Sequence, residues 1–249
     1  MTDWEFTLGE TADKNFETIN LPHDWAITAP INKNMKQGAP QGFRDRWGIG
    51  WYRKTLHLPE KKPGYVYQLQ FDGVYENSTV WVNGTKVGGR KYGYSRFTLD
   101  ITGSIQAGNN LILVKVDNTA FPADRWYSGA GIYRTVKLLE LHEKHLNPEN
   151  IQVISQVNGS SAAIMIHTGV EAWVRASVTE GERRYTGESD SGTIRIEVPD
   201  PKLWSPEEPN LYEVELSRVD GETVTDTYKL RIGIRTIEMI PNRGMFLNG

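Results

Sequence analysis

The chain has 249 residues, 38% of them hydrophobic and 24% charged, with a formal net charge of -3 and no cysteine. That size suits one large or two ordinary globular domains. The charge leaves no basic footprint for nucleic acid and no polybasic tract for a membrane, and the missing thiols exclude disulfides, thiolate metal sites and a cysteine nucleophile.

The opening "MTDWEFTLGE" has neither the positive nor the apolar stretch of a secretory signal, and no run of about 18 apolar residues follows it. The expected setting is therefore a bacterial cytoplasm. Eight Trp and 11 Tyr form the one compositional excess. Rings of this kind serve as large core residues of sheets or as platforms for the apolar face of a sugar.

In chain order, "LPHDWAI" (Leu21 to Ile27) reads as a structural turn, with Trp25 buried and Asp24 hydrogen-bonded to backbone. "QGFRDRWGIGWYRKTL" is a Gly-rich approach loop around Trp47, of the kind that can line a pocket, with Trp51 and Tyr52 assigned to the strand after it. "YVYQLQFDGV" alternates Tyr65, Tyr67, Leu69 and Phe71 against Val66, Gln68 and Gln70, which predicts a half-buried strand. "STVWVNGTKVGG" predicts a hairpin, because Asn83-Gly84 tolerates positive φ at both turn positions. "NNLILVKVDN" and "YRTVKLLELHE" are further strands, the second with Val136, Leu138 and Leu141 as candidate inward residues. Short strands punctuated by Gly, Asn and Asp predict a β-sandwich or jelly roll.

"HEKHLNPENIQV" changes the composition and marks a domain boundary. Beyond it, "NIQVISQV", "SAAIMIHTGV", "AWVRASVT", "GTIRIEVP", "NLYEVELSRV" and "DTYKLRIGIRTIEMI" read as the strands of an immunoglobulin-like sandwich without its disulfide. The predicted fold class is all-β: a jelly-roll sugar-binding domain over 1–145, an immunoglobulin-like sandwich over 146–241, and a connecting segment over 242–249.

Chemistry is sparse. The carboxylates form no identifiable acid/base pair, and no nucleophile elbow, phosphate loop or zinc-protease signature occurs. His142 and His145 could ligate a metal on a helix, but at a strand end they read as exposed spacing residues. "DRWYSGAGIYR" (Asp124 to Arg134) gathers a carboxylate, two guanidiniums and three aromatic rings around Gly and Ser. It could hold a sugar, or it could be a strand entry with a structural tryptophan.

"LPHDW", "GIGWYRKTL", "VWVNGTKVG" with "GYSRFTLDIT", "RWYSGAGIYR", "PKLWSPEEPNLY" and "RIGIRTIE" together resemble family 2 glycoside hydrolases, β-galactosidases above all. The resemblance implies a retaining glycosidase that hydrolyses terminal β-D-galactosides. β-Glucuronidase or β-mannosidase relatives, or a stand-alone carbohydrate-binding module, are the alternatives. "NRGMFLNG" resembles the segment leading into a (β/α)₈ barrel, and the family's two catalytic glutamates lie on that barrel. The expectation is therefore a fragment, inactive alone, whose partners are a carbohydrate substrate, its own barrel and a second copy of itself. The resemblance implies no catalytic residue, cofactor or metal in this stretch, and a sodium or magnesium ion in the complete enzyme. It assigns substrate contact to Asp124, with Trp126 and Tyr127 beside it, and a scaffold role to Gly131 and Arg134.

Overall fold

The structure, a computed structural model, describes residues 3–12, 15–34, 41–44, 47–120 and 126–249, and no α-helix occurs among them. It divides into two compact units, Met1–Leu141 and His142–Gly249.

The first unit has strands β1 (Trp4–Leu8), β2 (Glu17–Ile19), β3 (Ile49–Leu58), β4 (Tyr65–Phe71), β5 (Ser78–Val82), β6 (Thr85–Gly88), β7 (Phe97–Asp100), β8 (Gly108–Asp117) and β9 (Val136–His142). They form a six-stranded sheet in the order β2-β1-β3-β8-β5-β6 and a three-stranded sheet in the order β7-β4-β9. The two sheets share one core. Tyr52, Val80, Ile112 and Val114 enter it from the larger sheet, and Tyr67, Leu69, Phe71 and Val136 from the smaller. Side-chain alternation sets this arrangement. In β4, Tyr67, Leu69 and Phe71 are buried, while Val66, Gln68 and Gln70 are only partly covered. The longest pairing, β3 with β8, runs without a slip from Ile49↔Asp117 to Leu58↔Gly108. A one-residue slip would turn Tyr52 and Val114 outward, so burial itself fixes the register.

The Asn83-Gly84 hairpin forms as expected, with φ of 49° and 81°, and joins β5 to β6. In β9, Val136 is buried and Leu138 packs on the core, whereas Leu141 lies off that alternation and is only partly buried.

The second unit holds β10 (Gln152–Asn158), β11 (Ser161–His167), β12 (Val174–Glu180), β13 (Arg183–Ser189), β14 (Thr193–Pro199), β15 (Tyr212–Asp220) and β16 (Thr223–Ile232). β10-β11-β14 and β13-β12-β15-β16 are its two sheets, with Ile164, Ile166, Val178, Ile196, Val214 and Leu216 in the core between them. This is the immunoglobulin-like sandwich expected from the strand spacing. "DTYKLRIGIRTIEMI" is two strands rather than one: β16 ends at Ile232 and β17 (Ile237–Ile240) pairs separately with β18 (Gly244–Leu247). The break has a packing cause. Gly233 lies against the Trp204 ring, with 2.7 Å between its Cβ position and Trp204 Cγ, and Ile234 turns into the core.

Candidate functional site

One end of the first unit is assembled from three loops that side chains pin to one another. Asp24 is the first pin. Its Oδ1 accepts the backbone N–H of Ala26 and of Ala130, both at 2.9 Å, and its Oδ2 accepts the Tyr127 hydroxyl at 2.8 Å. The backbone adds His23 N–H to Ile132 O and Trp25 N–H to Ala130 O. "LPHDW" therefore does what its composition suggested: Trp25 is buried and Asp24 holds backbone. It also reaches a segment more than 100 residues away in sequence.

Beneath this, the fully buried Tyr52 hydroxyl meets His23 Nδ1 at 2.8 Å and receives the Ile132 N–H at 3.4 Å. Burial pushes the Tyr52 phenol well above its ordinary range. Burial also lowers the His23 imidazole, against the opposing pull of Asp24 and Glu17. His23 Nδ1 and the Tyr52 hydroxyl share one hydrogen bond, whose direction follows the imidazole tautomer. Gly131 has no space for a side chain: its φ is +119°, and an added Cβ would stand 2.2 Å from the Tyr52 hydroxyl. The scaffold role expected of Gly131 has this physical basis.

The second pin is Gln41, a buried amide. Its Nε2 donates to Trp126 O, and its Oε1 accepts from Ser128 N and Oγ at 3.3 Å. Buried Asn118 donates to Gly129 O. The loop backbone is thus held from both sides while its rings face out: Trp126 is 57% exposed and Tyr127 38%. Trp126 Nε1 donates to the Tyr94 hydroxyl at 2.8 Å, so a tyrosine from a different loop orients the indole. Asp124 lies outside the described residues.

Trp126 and Tyr127 are both exposed, the first held by Tyr94 and Gln41 and the second by Asp24; the sequence did not point to Gln41 or Tyr94. Gln41 heads the approach loop "QGFRDRWGIGWYRKTL", but nothing in that string marks its amide as a clamp. Tyr94 sat within "GYSRFTLDIT" as a recognition string, without a contact to suggest its role. Trp51 and Tyr52 both belong to β3, as expected, but point to opposite faces. Tyr52 enters the core, and Trp51 stacks on Trp81 outside it at 5.9 Å between centroids. Arg134 is exposed, with its guanidinium 5.5 Å over the Tyr133 ring.

Among the described residues every carboxyl with a shifted titration is held down: Glu5, Asp72, Asp117, Glu215 and Asp220. A glycosidic general acid needs the opposite shift. Asp72, in an open cleft of about 440 Å³ lined by Arg96, Tyr133 and Arg134, shows the cause. The Thr135 hydroxyl, Arg96 Nε at 2.7 Å and Lys137 at 3.6 Å occupy its oxygens. No group of three or more His, Asp or Glu side chains among the described residues could share a metal ion. His142 and His145 turn to nearby backbone, His142 Nδ1 accepting Lys144 N–H at 3.0 Å and His145 Nδ1 meeting His142 O at 2.9 Å.

Comparison with known proteins agrees with both units. The family model "Glycosyl hydrolases family 2, sugar binding domain" matches residues 3–142, and "Glycosyl hydrolases family 2" matches 149–235. A β-galactosidase of Bacteroides ovatus is 34% identical over 276 residues, covering 99% of this chain and 32% of that protein. A putative β-glucuronidase of Formosa agariphila is also 34% identical, over 270 residues, covering 99% of this chain and 26% of that protein. A crystal structure of a β-glycosidase from Bacteroides vulgatus superposes with a TM-score of 0.87 at 31% identity, over all of this chain and 35% of that one. The chain spans about a quarter to a third of the length of these relatives.

Proposed function

The chain belongs to glycoside hydrolase family 2, and from that premise we propose that it is the non-catalytic N-terminal region of a retaining glycosidase acting on terminal β-D-galactosides. The observation that carries this reading is the pair of family matches, which occupy 3–142 and 149–235 in order and leave only short flanking stretches. The β-galactosidase relative, 34% identical across 99% of the chain, supports the galactoside. The putative β-glucuronidase relative, at the same identity and the same coverage of this chain, supports the second reading, a glucuronide.

In this proposal the acid/base and nucleophilic carboxylates reside on a catalytic barrel elsewhere in the protein. Retaining hydrolysis places two carboxyl groups about 5 Å apart across the bond. Asp72, Glu215 and Asp220 are engaged in salt bridges, and Asp24 in a backbone clamp, instead. This chain contributes recognition: a pre-pinned loop end that presents Trp126 and Tyr127, with Asp124 beside them in sequence. A carboxylate at that position would accept two sugar hydroxyls and tell epimers apart by direction. A sodium or magnesium ion belongs to the complete enzyme in this reading, and no step is assigned to it.

The test is a pair of assays on the natural full-length protein and on this chain alone. The full-length protein should hydrolyse an aryl β-galactoside with kcat/KM at least about a hundredfold above the matching β-glucuronide. The isolated chain should hydrolyse neither. The reverse preference would overturn the galactoside, and full turnover by the isolated chain would overturn its non-catalytic assignment.

A further inference from the structure

Three exposed aromatic rings from two separate loops meet at the pinned end of the first unit. Tyr92 is 63% exposed, Tyr94 37% and Trp126 57%. Tyr92 and Tyr94 lie edge to face, with 5.7 Å between ring centroids, and the Trp126 indole N–H is held by the Tyr94 hydroxyl. Exposed apolar surface gathered in one place marks a binding site more often than chance.

The loop that carries the two tyrosines is fixed. Gly93, between them, lies flush against the Tyr75 ring: an added Cβ would stand 2.2 Å from Tyr75 Cδ2. The Gly93 carbonyl accepts the Tyr133 hydroxyl at 2.8 Å. A residue that must be glycine thus presses the backbone down and fans the rings on either side outward. The Tyr133 ring comes from "GIYR" and ties this loop to the segment that bears Trp126. The Trp126 indole N–H is bonded to Tyr94, whose ring also packs on the Tyr75 ring at 5.2 Å between centroids.

We infer that Tyr92, Tyr94 and Trp126 form a stacking wall for a pyranose ring, with Tyr92 the residue that sets its affinity. This rests on the reading of the chain as the carbohydrate-facing part of a glycosidase. The chemistry of the patch chooses the occupant. The apolar C–H face of a sugar packs on aromatic faces, and polar-tipped rings tolerate the hydroxyls around it. A protein-binding surface would mix in aliphatic side chains. The β17–β18 hairpin does so, with Ile237, Met239 and Met245 at 53%, 74% and 68% exposure. Neither aromatic loop has an exposed large aliphatic residue, 89–96 and 126–134 alike. Because Trp126 and Tyr94 are tied to each other before binding, less ordering cost is left for the sugar to meet.

The test follows the Trp126 indole N–H resonance of this chain, assigned with Trp126→Phe, during titration with methyl β-D-galactopyranoside, methyl β-D-glucuronide and glycerol. A saturable shift with a galactoside Kd of about 10 mM is expected, and no saturable shift with glycerol. Tyr92→Ala, at a position too exposed to unfold the domain, should weaken binding at least about fivefold. Tyr133→Phe, which frees the Gly93 carbonyl, should weaken it by a smaller factor. Saturation by the glucuronide alone would keep the wall and sink the galactoside reading. No saturable shift with either sugar, or an unchanged Kd in Tyr92→Ala, would overturn the wall while leaving the family assignment standing.

Discussion

The loop end of the first unit and the outer face of the four-stranded sheet in the second use polar side chains in opposite ways. At the loop end they reach across the fold and finish on backbone or on buried groups: Asp24 to Ala130, Gln41 to Trp126 and Ser128, Tyr133 to Gly93. On the sheet face they pair with each other in solvent, as Arg175 with Glu188 and Lys229 with Glu213 and Glu215. The first arrangement holds irregular backbone in one conformation. The second decorates a ladder that its own hydrogen bonds and core already hold. Surfaces that must present rings in fixed positions need the first kind. The difference fits the proposal that recognition lies in the first unit.

Glycine substitution probes this contrast most strongly. At Gly131 an alanine would meet the Tyr52 hydroxyl at 2.2 Å and His23 O at 2.8 Å, with φ at +119°. Gly131→Ala should destabilise the first unit by about 4 kcal/mol, or stop it folding. Gly181, in the turn between β12 and β13, also has positive φ (+58°) but nothing within 4 Å of its Cβ position. Gly181→Ala should cost about 1 kcal/mol, the backbone strain alone. Calorimetry on the two variants would measure both, and equal losses would erase the distinction between crowded loops and an open turn.

Asp24→Ala comes next. It removes the carboxylate that accepts two backbone N–H groups and the Tyr127 hydroxyl, and about 3 kcal/mol should be lost from the first unit. Proteolysis should then appear near Tyr127 before it appears in β10–β16. If the loop stays resistant, Gln41 alone suffices to hold it.

Much of this fold was legible in the sequence, because alternation is a direct print of a half-buried sheet. β4, β8 and the Asn83-Gly84 hairpin all follow from it. β13 was not legible: Tyr185 is its only apolar large residue, and it pairs with β12 through backbone, not through pattern. β1 and β2 were passed over because the N-terminus was read only for a signal. The candidate site was half visible. Trp126 and Tyr127 stood out by composition, but Gln41 lies more than 80 residues away and Tyr94 more than 30. Contacts at such separations arise from topology, and no local pattern encodes them.

Protonation gives a smaller effect. His23 packs on Phe6 at 4.6 Å and is hydrogen-bonded to the Tyr52 hydroxyl, and burial sets its pKa below the ordinary 6.5. The unfolded chain takes up a proton near 6.5, so below that value it binds more protons than the folded chain. The contribution of neutral His23 is complete above 6.5 and is lost as pH falls through the lowered folded value. The melting temperature of the first unit should therefore decline between about pH 7 and pH 5. His23→Gln, which keeps an acceptor for Tyr52, should flatten that slope. A slope unchanged in His23→Gln would assign the titration to another group.

The smallest effect lies on the sheet face. Lys229 Nζ is 2.7 Å from Glu215 and 3.6 Å from Glu213, and the lysine side chain is 58% exposed. The hydrogen bond from Lys229 lowers the Glu215 carboxyl, and the same bond raises the lysine. Both changes occur in water, where the Coulomb gain is nearly cancelled by solvation and by the entropy of holding two long side chains. Lys229→Ala should leave the melt of the second unit unchanged within error at physiological salt. Any residue seen at low salt should vanish near 1 M, where charges are screened over about 3 Å. A loss that matched Asp24→Ala and survived salt would mean that this face holds structure as the loops do. The division of labour between the two units would then have to be redrawn.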